Sequence, residues 1–181
     1  TPGVASYITA AADHALLARL HQRYHELVAR AYAAVMERGG LALQLHSYSP
    51  RSVGIDTIDA HIVEALHAAY APEVYETWPR RPSVDLITAD DQGRVLADPA
   101  VVVRLREEYG RLGIEAQENA SYRLMPFTMG YQYAARYPGR VTCIEINREL
   151  LADPFIPFQD SPIGAARVER MVGPLILVLG T

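Results

Sequence analysis

A chain of 181 residues, 50% hydrophobic and 21% charged, has the size and composition of an ordinary folded domain rather than a disordered tail. Its formal net charge of −4 offers no basic surface for nucleic acid or an anionic membrane, so neither is expected as a partner. Cys143 stands alone and cannot close an internal disulfide, and no stretch reads as a signal peptide or membrane span, which makes the cytoplasm the expected compartment.

From residue 11 to 38, Leu16, Leu20, Tyr24, Leu27, Ala31 and Val35 recur at helical spacing without an intervening Gly or Pro. This predicts a long amphipathic helix that Gly39-Gly40 terminates. Residues 41–45, an apolar run, predict a buried strand, after which His46-Ser47-Tyr48-Ser49-Pro50 is expected to leave the sheet as a loop. Ile62, Val63, Leu66 and Tyr70 predict a helix over 58–70, closed by Pro72. Residues 84–88 predict a strand, followed by the turn Asp90-Asp91-Gln92-Gly93.

A helix over 99–112, with a proline in its first turn and Gly113 after its end, leads to a strand over 114–118. Residues 119–131 form an aromatic and polar loop, 132–137 a short helix, and Pro138-Gly139 a turn. The β-branched alternation of 141–146 predicts another strand. Pro154, Pro157 and Pro162 mark an irregular stretch, a helix follows over 163–172, and the apolar residues 174–179 read as a buried strand or helix end. Helices alternating with buried strands, with no repeat or linker, predict one α/β domain over residues 1–181. In such folds the site lies beyond the carboxyl ends of the strands.

Two of these strands carry a polar residue where apolar ones are expected. His46 ends the first, and Glu145 sits between Ile144 and Ile146 in the last. A carboxylate deep in a strand costs several kcal/mol unless it is paired, hydrogen-bonded or beside a metal. A salt bridge to an arginine would satisfy Glu145, and a backbone hydrogen bond would satisfy His46, so structural roles remain open for both.

Leu45-His46-Ser47-Tyr48-Ser49-Pro50 resembles the histidine-serine motif of N-formylglutamate amidohydrolases and the related segment of zinc carboxypeptidases. Ile144-Glu145-Ile146-Asn147-Arg148 with Leu150-Leu151 resembles the amidohydrolase family's glutamate strand. Tyr24-His25 with Leu27 is similar to its tyrosine-histidine helix, and Arg81-Pro82 with Asp85 to its arginine-proline segment. Asn119, Tyr122 and Gly130 match residues of its substrate loop. The matches run in the family's order from residue 24 to 151.

The resemblance implies a three-layer α/β/α fold with a mixed central sheet, phosphorylase/hydrolase-like, with further strands expected upstream of Thr1. It implies Zn2+ as cofactor, His46 as a metal ligand and Glu145 as general base, in an enzyme that hydrolyses N-formyl-L-glutamate or a similar N-acyl amino acid. Such chemistry uses a metal with three protein ligands and an open position, and a carboxylate that moves the proton.

A small-molecule substrate bearing a carboxylate needs cationic anchors, for which Arg51, Arg81 and Arg148 are candidates, with Asn119 and Tyr122 beside them. His25 and Ser47 are expected to support the site from behind these groups. The family's two further zinc ligands, a His and an acidic residue, are not found here and are expected upstream, since the chain begins Thr1-Pro2-Gly3 rather than with Met.

His21 and His25, spaced i, i+4, have the spacing of a metal pair, with a solvated helix face as the alternative. His61 and His67 are assigned no role. A carboxypeptidase-like deacylase, a metal-free binding protein on the same scaffold and a purely structural domain are the competing readings. Oligomeric state is not legible in the sequence.

Overall fold

The computed structural model describes residues 5, 7–55, 57–152, 156 and 162–180. The chain forms two compact units: Thr1–Arg38 with Val53–Trp78, and Gly39–Ser52 with Pro79–Thr181. Pro154 and Pro157 of the proline-marked stretch lie outside the described residues.

In the first unit the predicted long helix is α1 (Ala11–Glu37). Gly39, at φ 71°, follows it in the left-handed conformation that glycine adopts without steric cost. The leucine stripe that signals the helix stays exposed at Leu16, Leu20 and Leu27, and burial falls on Tyr32 instead.

The second predicted helix is shorter than its apolar pattern, α2 (Ile62–Ala69). Asp59 Oδ1 accepts a hydrogen bond from the His61 amide at 2.8 Å, which makes the preceding residues a turn. Pro72 does not merely close that helix; it opens α3 (Pro72–Tyr75), where its missing N–H is harmless. Tyr70 stacks on Tyr75 at 5.1 Å and Trp78 Nε1 donates to the Ala69 carbonyl at 3.0 Å.

The second unit holds a mixed four-stranded sheet built from β1 (Ala42–Tyr48), β2 (Val84–Ile87), β3 (Ala116–Glu118) and β4 (Val141–Asn147), in the order β1-β4-β2-β3. β1 runs parallel to β4, β2 parallel to β3, and β2 antiparallel to β4. One face is apolar. Val84, Leu86, Ile144 and Ile146 pack with Val101, Val102, Leu105 and Tyr109 of α4 (Pro99–Arg111), and with Met171, Leu175 and Val178 of α6 (Ala165–Leu179).

α4 starts where Asp98 accepts the Ala100 amide at 2.8 Å and Pro99 takes the first helical position, and Gly113 follows its end at φ 70°. The opposite face receives α5 (Met129–Arg136), whose Gly130 lies against Cys143 of β4. Helices therefore cover both faces of a mixed sheet, the expected α/β layering.

Besides α2, boundaries shift at β3, which starts at Ala116, at α5, which starts at Met129 inside the predicted loop, and most of all at β1 and α6. β1 continues through His46 and Ser47 to Tyr48 because it pairs with β4 along its whole length, although residues 45–47 are exposed and carry no apolar alternation. α6 runs through Pro174, so residues 174–179 are helical. An internal proline costs a helix about 3 kcal/mol. Here Met171, Leu175 and Val178 are all buried at helical spacing, and their burial outweighs that cost. Among the described residues no helix is long and apolar enough to cross a membrane.

Candidate functional site

Side chains alternate across a strand, so the face opposite the apolar core is set by every second residue. The register aligns His46 of β1 with Glu145 of β4, Glu145 with Asp85 of β2, and Asp85 with Gln117 of β3. A row of four polar residues thus crosses the whole sheet on that face. Gln44 and Cys143 form the row on one side of it, and Tyr48 and Asn147 the row on the other.

Glu145 is the least satisfied member. Its Oε2 atom is buried and has no hydrogen-bond partner. Burial pushes its pKa up to about 7; the Arg81 guanidinium pulls against the rise and the Asp85 carboxylate adds to it. A carboxyl group with that pKa exchanges its proton near neutrality. Next to it on β4, the Cys143 thiol is pushed up to about 12 by burial and by Glu145, so it stays protonated and inert.

Asp85 is fully buried and accepts the Ala120 and Ser121 amides at 3.0 and 2.6 Å. These bonds fasten the start of the 119–128 loop to the sheet. Asn119, at φ 52°, makes the turn into that loop; its Oδ1 accepts the Thr88 and Ala89 amides at 2.9 and 3.0 Å, and its Nδ2 donates to Thr88 Oγ1 at 2.7 Å.

The loop brings Tyr122 over Arg81, whose guanidinium carbon lies 5.3 Å from the ring centres of both Tyr122 and Tyr48. Such contacts hold a guanidinium plane in place. Arg81 Nε is buried without a hydrogen-bond partner, and the Tyr48 hydroxyl donates to the Pro82 carbonyl at 2.7 Å. Burial, reinforced by Asp85, raises the Tyr48 pKa above that of an ordinary phenol.

Among the residues singled out in the sequence, Glu145, Arg81 and Tyr122 gather with Tyr48 and Asp85. His46 shares their sheet face but is exposed, and the Gln44 side-chain amide donates to its Nε2 at 2.9 Å. Ser47 points to the other face by alternation and accepts a bond from Arg148 Nε at 3.4 Å, so these two meet each other and not Glu145. Arg51 lies just past β1, its backbone bridged to Arg80. The Asn119 amide is engaged in holding the loop. His25 belongs to the first unit, where its ring meets His21.

Asp85 is a further residue of this site, beyond its place in the segment with Arg81-Pro82. The signal was present: Asp85 stands between Val84 and Leu86 as Glu145 stands between isoleucines.

Zinc held by this chain would need about three protein donors at close range. Among the described residues no group of three or more His, Cys, Asp and Glu side chains is placed to hold a metal ion. The orphaned oxygen of Glu145 is one available donor, and the His46 nitrogen is already bonded to Gln44. The residues present do not by themselves fit a zinc centre.

The structure is similar to that of an N-formylglutamate amidohydrolase from Ralstonia eutropha JMP134, with a TM-score of 0.52 and 19% sequence identity, over 88% of this chain and 49% of that one. The likeness shows a shared fold, and the chain spans about half the length of that neighbour. No protein-family model matches the sequence, and no curated protein matches it.

Proposed function

We propose that the protein is a hydrolase of a linear amide, acting on N-formyl-L-glutamate or a similar N-acyl amino acid, with Glu145 as general base. The observation that carries the reading is the buried, unpartnered Glu145 oxygen with its pKa near 7. A base works best when its pKa lies close to the working pH. Ionised Glu145 takes a proton from water as the water oxygen bonds to the amide carbon. The same proton then passes to the departing nitrogen as the C–N bond breaks, giving a carboxylic acid and an amine.

Arg81, packed against two tyrosine rings, is the leading anchor for a substrate carboxylate, which a guanidinium binds through both oxygens. Arg51, Arg148, Asn119 and Tyr122 are the further candidates. The amidohydrolase neighbour supports the reaction class. If zinc takes part, His46 would supply one ligand and a Lewis-acidic ion would polarise the amide carbonyl, the remaining donors lying outside the described residues.

A second reading is a metal-free binding protein on the same scaffold, and the Gln44 amide already seated on His46 favours it. A deacylase of carboxypeptidase-like specificity differs from the first reading only in substrate.

The test is zinc content by elemental analysis, before and after adding zinc, together with turnover of N-formyl-L-glutamate. Glu145→Gln should keep the wild-type zinc content and lower turnover by about a hundredfold or more. Undiminished turnover in that variant removes Glu145 from the reaction. Absence of both turnover and His46-dependent zinc moves the assignment to the binding protein.

A further inference from the structure

We propose that His21 and His25 form a two-imidazole site on α1 for a divalent transition ion of the Zn2+, Ni2+ or Cu2+ class. The site is built within the first unit and is independent of the reading of Glu145. Residues four apart on a helix are neighbours on one face. Here the two rings converge: their centroids are 4.3 Å apart and tilted by 50°, and their Nε2 atoms lie 3.1 Å from each other.

The geometry suits chelation. Zinc–imidazole bonds are about 2.05 Å long, so an ion equidistant from two nitrogens at that separation would subtend an angle of about 98°. That value falls between the right angle of square or octahedral neighbours and the tetrahedral angle. The rings need not be ionised to admit the ion. One Nε2–H donates to the other Nε2 in the free pair; moving that proton to the Nδ1 of the same ring frees both Nε2 lone pairs, with no net loss of protons.

Solvated histidines would turn their nitrogens outward to water, whereas these two are partly buried and aimed at a common point. The platform is rigid: α1 is 27 residues long and contains neither Gly nor Pro. With two protein donors, water fills the remaining positions, and imidazole selects borderline transition ions over Mg2+ and Ca2+.

The site bears directly on the zinc measurement above, because zinc bound to the whole chain can report either location. The test is calorimetric titration of the full chain, stripped with chelator, with NiCl2 and then ZnCl2, in wild type, His21→Ala, His25→Ala and His46→Ala. Loss of either α1 histidine should weaken binding by about tenfold or more, at least as much as losing an outer-shell support costs a metal site. His61→Ala, added as a control at an exposed histidine outside both sites, should leave this binding unchanged.

The double substitution His21→Ala with Ala29→His rebuilds an i, i+4 pair around His25 at an exposed position and should restore the affinity. Saturable binding that survives both single substitutions overturns the proposal, as does the absence of saturable binding in wild type or a failure of the rebuilt pair to rescue it. Zinc that disappears only in His46→Ala belongs instead to the Glu145 face.

Discussion

Replacing Glu145 with Gln removes a titrating carboxylate while preserving the side chain's shape, and it tests the electrostatics of the site without a substrate. Burial, partly offset by Arg81 and aided by Asp85, moves the Glu145 pKa from 4.5 to about 7 on folding. The folded chain therefore holds this proton more tightly than the unfolded chain. The associated stability is fully present below about pH 4.5 and is lost as the pH rises through 7.

The full displacement corresponds to roughly 3 kcal/mol at about 1.4 kcal/mol per pH unit. Glu145 is only partly buried, and solvent screening reduces the expected effect to about 1–2 kcal/mol. Glu145→Gln should accordingly be more stable than wild type by about that amount at pH 8, with the difference fading below pH 5. Urea unfolding of both proteins at several pH values in the presence of chelator gives the difference directly. A difference that does not change with pH, or one favouring wild type at pH 8, would mean that Arg81 outweighs burial and that Glu145 is ionised well below neutrality.

Two further substitutions probe how the site is held. Asp85→Ala deletes the acceptor for the Ala120 and Ser121 amides, and hydrogen bonds to a charged group contribute about 1.5–3 kcal/mol each. Hydrogen exchange at those two amides should accelerate and urea stability should fall by about 3 kcal/mol; unchanged protection would mean that Asn119 alone anchors the loop. Gly130→Ala would place a methyl group 2.8 Å from Cys143 Sγ and should destabilise by about 1–3 kcal/mol in thermal or urea unfolding. Adding Cys143→Ala opens that space and should recover most of the loss, and a double variant no better than the single one would locate the crowding elsewhere.

By itself the sequence determined the elements whose signals are local. α1 follows from apolar spacing and a glycine stop, and α4 from the proline at its start and the glycine after its end. β4 is legible because a β-branched run bounded by turns has few alternatives, and Glu145 within it was conspicuous as a charge among isoleucines. The same logic would have marked Asp85. The limits of β1 and α6 were not legible, because pairing with β4 extends one and burial against the core carries the other through Pro174.

Strand order was decided only in three dimensions. The antiparallel register of β2 against β4 sets Asp85 beside Glu145, and the return of the 119–128 loop brings Tyr122 onto Arg81. Those contacts join residues far apart in the chain, and no local spacing encodes them. The rise of the Glu145 pKa therefore belongs to the tertiary structure: it arises from desolvation and from charges on other strands and loops, which a single segment does not possess.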